Sequence, residues 1–230
     1  MPTDLHLALQ RHYAGADGVI EAAVAGFRVD VLRRGVAYEI QTGSFSHLRT
    51  KLAALTTQVP VVLVHPLAQS KLIAHLAPDS DEVLRQRRSP KHAQLAEVGW
   101  ELLYLAEVLG NKRLKVEILL TSERELRRAD GQGSWRRGGI SVVGRELVEI
   151  LETHRFARPR DFLRLLPPGL KREFTVAELA RTAGISSKLA GKLAYGLRKL
   201  EVLELVGKRG NAHLYRKAPA PRRKPAAKSE

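Results

Sequence analysis

The sequence predicts an α/β protein, a mixed sheet flanked by helices with a smaller, mostly helical module behind it. Three observations predict this. Strand-length runs crowd residues 19–41 between Gly-containing turns. A stretch of helical period at 44–57 then leads into the continuous apolar run VVLVHPL at 61–67. From about residue 141 the texture changes to helices. A chain of 230 residues, 44% hydrophobic, suffices for one medium domain and a small one.

The elements are expected in this order. LHLALQRHY at 5–13 reads as an opening helix, ended by Gly15 and Gly18. VIEAAVAGFRVDVLRRGVAYEIQ, Val19 to Gln41, reads as a three-stranded meander with two-residue turns at Ala25-Gly26 and Arg34-Gly35. SFSHLRTKLAALTT is a helix, capped by Ser44, with Leu48, Leu52 and Leu55 on one face. The run at 61–67 is a strand covered on both sides, and KLIAHLA a short helix. Residues 79–98 form a charged loop leading into a helix near EVGWELLYLAEVLG. LKVEILLT at 114–121 is a strand, followed by the charged ERELRRADGQGSWRRGG. VGRELVEILETH is an amphipathic helix, PRDFLRLLP a short one, and APAPRRKPAAKSE a disordered tail. The predicted divisions are 1–140, 141–217 and the basic tail 218–230.

Charge narrows the function. Lys and Arg number 39 against 24 Asp and Glu, a net charge of +15, which attracts polyanions and nucleic acid first. No apolar run approaches the roughly 18 residues of a membrane span, and no basic amphipathic helix suits a membrane surface. There are no cysteines, so disulfides and cysteine-ligated zinc are excluded. The N-terminus lacks the layout of a signal peptide, and a cytoplasmic location is expected.

Glu21, Asp30 and Glu39 recur at an interval of nine. With both turns as read, Glu21 faces Asp30 and Asp30 faces Glu39, so the acids line up across three strands. The opposite face then holds Ile20, Ala22, Val24, Phe27, Val29, Val31, Val36, Tyr38 and Ile40, all apolar or aromatic. Two readings stay open: a sheet with one wet face, or carboxylates gathered on a divalent cation. Opposed carboxylates about 4.5–5.5 Å apart at Cβ repel, Arg28 offsets part of this, and Mg²⁺ offsets it directly.

RVDVLRRGVAYEIQ resembles the core motif of the PD-(D/E)XK nuclease superfamily, in the E-x-Q variant of the nuclease-like domain of competence proteins. The order helix, meander, helix, strand over 5–67 is similar to that family's core, which implies a restriction-endonuclease-like fold. The resemblance implies metal-dependent phosphodiester hydrolysis. Asp30, Glu39 and the Ile40 carbonyl would bind Mg²⁺ or Mn²⁺, Glu21 would assist as an auxiliary ligand, and Gln41 would orient the attacking water. Lysine is commoner than glutamine at that last place. Arg28, Arg49, Lys51, Arg88 and Lys91 are candidate DNA contacts, weighed against a solvated surface. His65 reads as a packed, hydrogen-bonded histidine.

The region 174–217 has its own signature. Thr175 and Glu178 make a capping box, Gly184 closes that helix, and Ser186 or Ser187 caps the next, KLAGKLAYGLRKLE. LELVG and AHLYRK then flank the basic turn Lys208-Arg209-Gly210-Asn211. This resembles the winged helix-turn-helix family, in which the second helix enters the major groove and the wing touches backbone or minor groove. The matching DNA contacts would be Ser187, Lys188, Lys192, Lys208, Arg209 and Asn211, with Arg222, Arg223 and Lys224 adding nonspecific attraction. The expected protein is a divalent-metal-dependent DNA endonuclease acting on double-stranded or branched DNA. A non-catalytic DNA-binding regulator is the alternative, and a protein-interaction adaptor a third reading. Cutting both strands would favour a homodimer.

Overall fold

The computed structural model describes residues 4–219. The protein is α/β, with a large mixed sheet flanked by helices. Helix α1 (Asp4–Ala14) precedes strands β1 (Val19–Val24), β2 (Phe27–Arg33) and β3 (Val36–Ile40). Helix α2 (Leu48–Gln58) crosses over to β4 (Val61–Leu76) and the short β5 (Val83–Arg88). A 3-10 segment (Leu95–Trp100) and the single-turn α3 (Leu102–Leu105) lead to β6 (Leu114–Ala129) and β7 (Ile140–Phe156). After a 3-10 segment at Pro159–Leu165 come β8 (Glu173–Phe174), α4 (Val176–Ala183), α5 (Ser187–Lys199), β9 (Leu203–Arg209) and β10 (Ala212–Lys217).

The large sheet runs β1-β2-β3-β4-β6-β7, with β5 alongside the far half of β4. Strand β4 is parallel to β3 and to β6, and every other pairing is antiparallel. The small sheet is β8-β10-β9. Both meander turns are as expected. Ala25-Gly26 and Arg34-Gly35 all have positive φ, the two-residue geometry whose twist matches that of the flanking strands.

The apolar face of the meander differs from expectation. Ala22, Val24, Phe27 and Val29 pack with Leu52, Leu55 and Leu63 on the α2 side, whereas Val36, Tyr38 and Ile40 pack with Leu5 and Leu9 of α1. Ile20 is exposed. Val29 and Leu32, three apart, both pack on the α2 side, so strict alternation slips once between them. The register itself holds, from Val24↔Phe27 to Val19↔Leu32. The slip falls where Glu21, with φ 57°, interrupts β1 opposite Asp30.

Three expected helices are not formed as read. KLIAHLA continues β4 beyond an irregularity between Ala68 and Ser70. The EVGWELLYLAEVLG stretch forms only the 3-10 segment and the single turn of α3. VGRELVEILETH is strand β7. Its pairing with β6 passes over Leu151, Val148 and Val143, one extra residue at each of three irregularities. An added residue every three to five positions turns a period of two into apolar spacings of three and four, which imitate a helix. The large sheet therefore runs past the expected division at 140/141 to Phe156. Residues 83–88 of the expected loop form β5.

One hydrophobic cluster joins the two parts of the chain. Leu52, Leu63 and Val116 of the sheet and α2 share it with Phe162, Phe174, Leu179, Leu193 and Leu197. Close approach is allowed by two glycines. A Cβ on Gly196 would stand 2.9 Å from the Leu102 Cβ, and one on Gly99 would stand 3.1 Å from the Leu193 Cα. The tail from residue 220, expected to be disordered and including Arg222, Arg223 and Lys224, lies outside the described residues.

Candidate functional site

The site forms where β2, β3, α1 and α2 meet. Glu39 lies in β3 beside Leu63 of β4, so it faces the α2 side and is 4% exposed. From α2, the Lys51 ammonium donates to Glu39 Oε2 at 2.7 Å and to the Arg28 carbonyl at 2.6 Å. Glu39 Oε1 is buried without a hydrogen-bond partner among the described residues. Burial, opposed by Lys51 and reinforced by the charge of Asp30, pushes the carboxyl up to about 7.

Asp30 turns towards α1. Its Oδ1 accepts from Nε2 of His6 at 3.0 Å and from Nε2 of Gln10 at 3.3 Å. Its Oδ2 accepts from the Ile40 N–H at 2.7 Å. Burial raises Asp30, but the His6 and Ile40 hydrogen bonds outweigh it and hold the carboxyl below its ordinary value. The hydrogen bond to Asp30 raises His6, and the two form an ion pair when His6 is protonated. Two neighbouring carboxylates are thus driven in opposite directions, one by desolvation and the other by donors.

Glu21 does not join them. It is exposed and accepts from the Arg28 guanidinium at 2.9 Å. The expected row of three acids is therefore a pair, because the slip at Glu21 and Asp30 ends the common face. Among the described residues, no group of three or more His, Cys, Asp or Glu is placed to hold a metal ion.

The turn after β3 is held by a network that sequence reading missed. The Gln41 amide donates to the Ser44 carbonyl, and the Gln41 carbonyl accepts from His65 Nδ1 at 2.6 Å. Ser44 is not the helix cap, which is His47. Instead Ser44 Oγ and the Phe45 N–H both donate to Glu101, at 3.1 and 2.7 Å. His65 is buried against the Phe45 ring, and burial lowers its basicity, in keeping with a packed histidine. The signal for Lys51 was its place one turn into the helix that follows the motif. That for His6 was hidden, since only folding brings residue 6 to residue 30.

The DNA-contact candidates fall into separate groups. Arg49 pairs with Glu107, and Lys51 is taken by Glu39. Arg88 pairs across to Leu72, and Lys91 bonds Glu97. On α5, Ser187, Lys188 and Lys192 are exposed and share a hollow with Leu103 and Tyr195. The Lys188 ammonium also lies 5.8 Å from the Trp100 ring. The Thr175–Glu178 capping box and the Ser186 cap are both formed. On the β9–β10 turn, Lys208 and Asn211 are exposed, whereas Arg209 bonds Glu178 at 2.8 Å.

Residues 3–157 match the family described as Domain of unknown function (DUF8091), and the chain belongs to that family. The match ends one residue beyond β7, where the large sheet ends. A particular relative is an uncharacterized protein of Treponema pallidum (strain Nichols), 27% identical over 219 residues, which span 94% of this chain and 86% of that protein. No solved structure matches. No described helix is long and apolar enough to cross a membrane.

Proposed function

We propose that the protein is a DNA-binding, nuclease-like protein whose large sheet carries a divalent-metal-dependent phosphodiesterase site and whose C-terminal part is a winged helix. The observation that carries this reading is Lys51 on Glu39 beside Asp30, with Glu39 Oε1 buried and unpartnered. Helix, antiparallel meander, crossover helix and parallel strand also follow the order that the restriction-endonuclease-like resemblance implies.

The donor set fits a hard divalent cation, because carboxylate oxygens are its preferred ligands and one of them lacks a partner. Glu39 would hold Mg²⁺ or Mn²⁺ without Glu21, and Asp30 would join it only by exchanging its donors from α1 and Ile40 for the ion. The ion would supply Lewis acidity at a phosphodiester. Lys51 brings a positive charge to the carboxylate pair that Gln41 lacks. Gln41 and His65 hold the backbone at the end of β3, which fixes where Glu39 and Ile40 stand. The C-terminal part supports the same reading by its order of elements, its formed caps and the exposed cations Lys188, Lys192 and Lys208.

A second reading has its own observation. Asp30 takes its donors from His6, Gln10 and the Ile40 N–H, as in a structural ion pair, which favours a DNA-binding regulator without catalysis. Supercoiled, linear and branched DNA incubated with Mg²⁺, Mn²⁺ or EDTA separates the two. Cutting that needs the metal and disappears in Glu39→Ala and Lys51→Ala supports the enzyme. Salt-sensitive binding without cutting on every substrate leaves the regulator, and no binding at low salt sinks both.

A further inference from the structure

The far half of the large sheet has two unlike faces. Across β4 and β5, Ile73 pairs with Arg87 and His75 with Arg85. Across β4 and β6, Lys71 pairs with Glu123, Ile73 with Glu125 and His75 with Arg127. Arg145 of β7 stands opposite Glu125. Laterally paired residues share a face, so Lys71, Arg85, Arg87, Arg127 and Arg145 gather on one side with only Glu123 and Glu125.

Those two carboxylates are buried and organise the cations around them. Glu125 takes both Lys71, at 2.9 Å, and Arg127, at 2.6 Å, while Glu123 takes Arg145 at 2.7 Å. An excess of three positive charges remains. Arg85 and Arg87 are exposed and form no ion pair among the described residues. The pairing sets Arg85 and Arg127 on either side of His75, and burial first, then the positive charges of Arg85, Arg127 and Arg87, hold His75 below its ordinary value.

The reverse face is balanced. There Arg124 pairs with Glu146 and Arg128 with Asp81, and Asp4 lines the same hollow. Arg88, opposite Leu72, lies on that side. The cationic face instead borders a hollow of about 400 Å³ whose lining includes Lys71, Lys91, Arg127 and Arg145 and runs to Thr42 and His65. His65 bonds the Gln41 carbonyl, so the hollow reaches the end of β3, two residues beyond Glu39.

We propose that this face, centred on Arg85, Arg87 and Lys71, is a track for the phosphate backbone of double-stranded DNA that leads towards Gln41. It rests on the DNA-binding reading above and adds a second contact region separate from α5. The duplex is favoured over a single strand by the side chains present. No strand of this face presents an exposed Trp, Tyr or Phe on which unpaired bases would stack. Cations on a sheet meet phosphates without reading sequence.

The test is fluorescence anisotropy of the full chain with a labelled random-sequence duplex, titrated between about 50 and 200 mM salt. Variants are R85A/R87A, R85Q/R87Q to keep side-chain length on the strand, and K188A/K192A, each checked by thermal melting. In either β5 variant, the slope of log K against log salt becomes shallower by about 2, near 1 for each phosphate that an arginine no longer neutralises. If the wild type binds and K188A/K192A weakens it, but both β5 variants keep slope and affinity, the track is wrong and the DNA reading stands. Failure of the wild type to bind duplex at low salt overturns both. Tighter binding of the single strand, equally sensitive to Arg85 and Arg87, overturns the duplex assignment.

Discussion

Lys51 Nζ lies 2.7 Å from Glu39 Oε2, and this contact ties the first turns of α2 to the middle of the large sheet. The Lys51 side chain is 23% exposed and the Glu39 side chain 5%, so the lysine retains hydration that the glutamate has lost. That asymmetry explains why an ion pair this short still leaves the carboxyl raised. Desolvation outweighs the attraction.

Glu39 makes stability depend on pH. Its folded value, about 7, lies above its ordinary 4.5, so the native state binds the proton more tightly than the unfolded chain. The resulting stability is full below about 4.5 and is lost as pH rises through about 7. Glu39→Gln removes the charged form. Its melting temperature should exceed that of the wild type at pH 8, and the gap should shrink towards pH 5. A constant gap across that range would contradict the assignment.

His6 and Asp30 act in an adjoining window. His6 is raised by Asp30, so its contribution is present below its ordinary 6.5 and is lost as pH rises through the higher folded value. Asp30 is lowered, so its contribution is present above its ordinary 3.8 and is lost as pH falls through the lower folded value. The pair stabilises most between those ordinary values. His6→Ala should cost about 1.5–3 kcal/mol there, the range for a hydrogen bond to a charged group. Denaturant midpoints at three pH values measure it, and NMR titration of the His6 ring should give a value above 6.5.

Glu123 tests the far half of the sheet. Its side chain is fully buried, with Arg145 at 2.7 Å and the Thr121 hydroxyl donating at 2.8 Å. Arg145→Met strands a buried carboxylate and should cost about 3–5 kcal/mol. Adding Glu123→Gln removes the uncompensated charge and should recover much of the loss in chemical unfolding. An additive double variant would show that the pair is uncoupled.

Gly196 tests how the C-terminal part is docked. Gly196→Ala gains about 1 kcal/mol of helix propensity, but its new methyl meets the Leu102 Cβ at 2.9 Å, and overpacking costs about 1–3 kcal/mol. Net destabilisation is expected. The penalty should be smaller in a Leu102→Ala background, which a double-mutant cycle reads directly.

Particular residues show how much the chain revealed on its own. Both meander turns were legible because a two-residue turn with positive φ demands Gly, and each pair has one. The capping box at Thr175 and the close at Gly184 were legible for the same kind of reason, a local hydrogen-bond need met within a few residues. Strand β7 was not, since its added residues only make sense against β6 as a partner. Nor was the brevity of α3, whose Leu102 packs against Gly196 far along the chain.

By itself the sequence determined the strong positive charge, the two tight turns, the strand pairing that those turns impose and the caps of the C-terminal helices. Each depends on a residue and its near neighbours. Only the tertiary structure decided which face each acid would occupy. A single left-handed residue, Glu21, sends Asp30 to His6 and leaves Glu39 to Lys51, and so makes two carboxylates of opposite tendency from an even row of three. Side-chain direction across a sheet depends on every alternation before it, and one slip moves each later side chain to the other face.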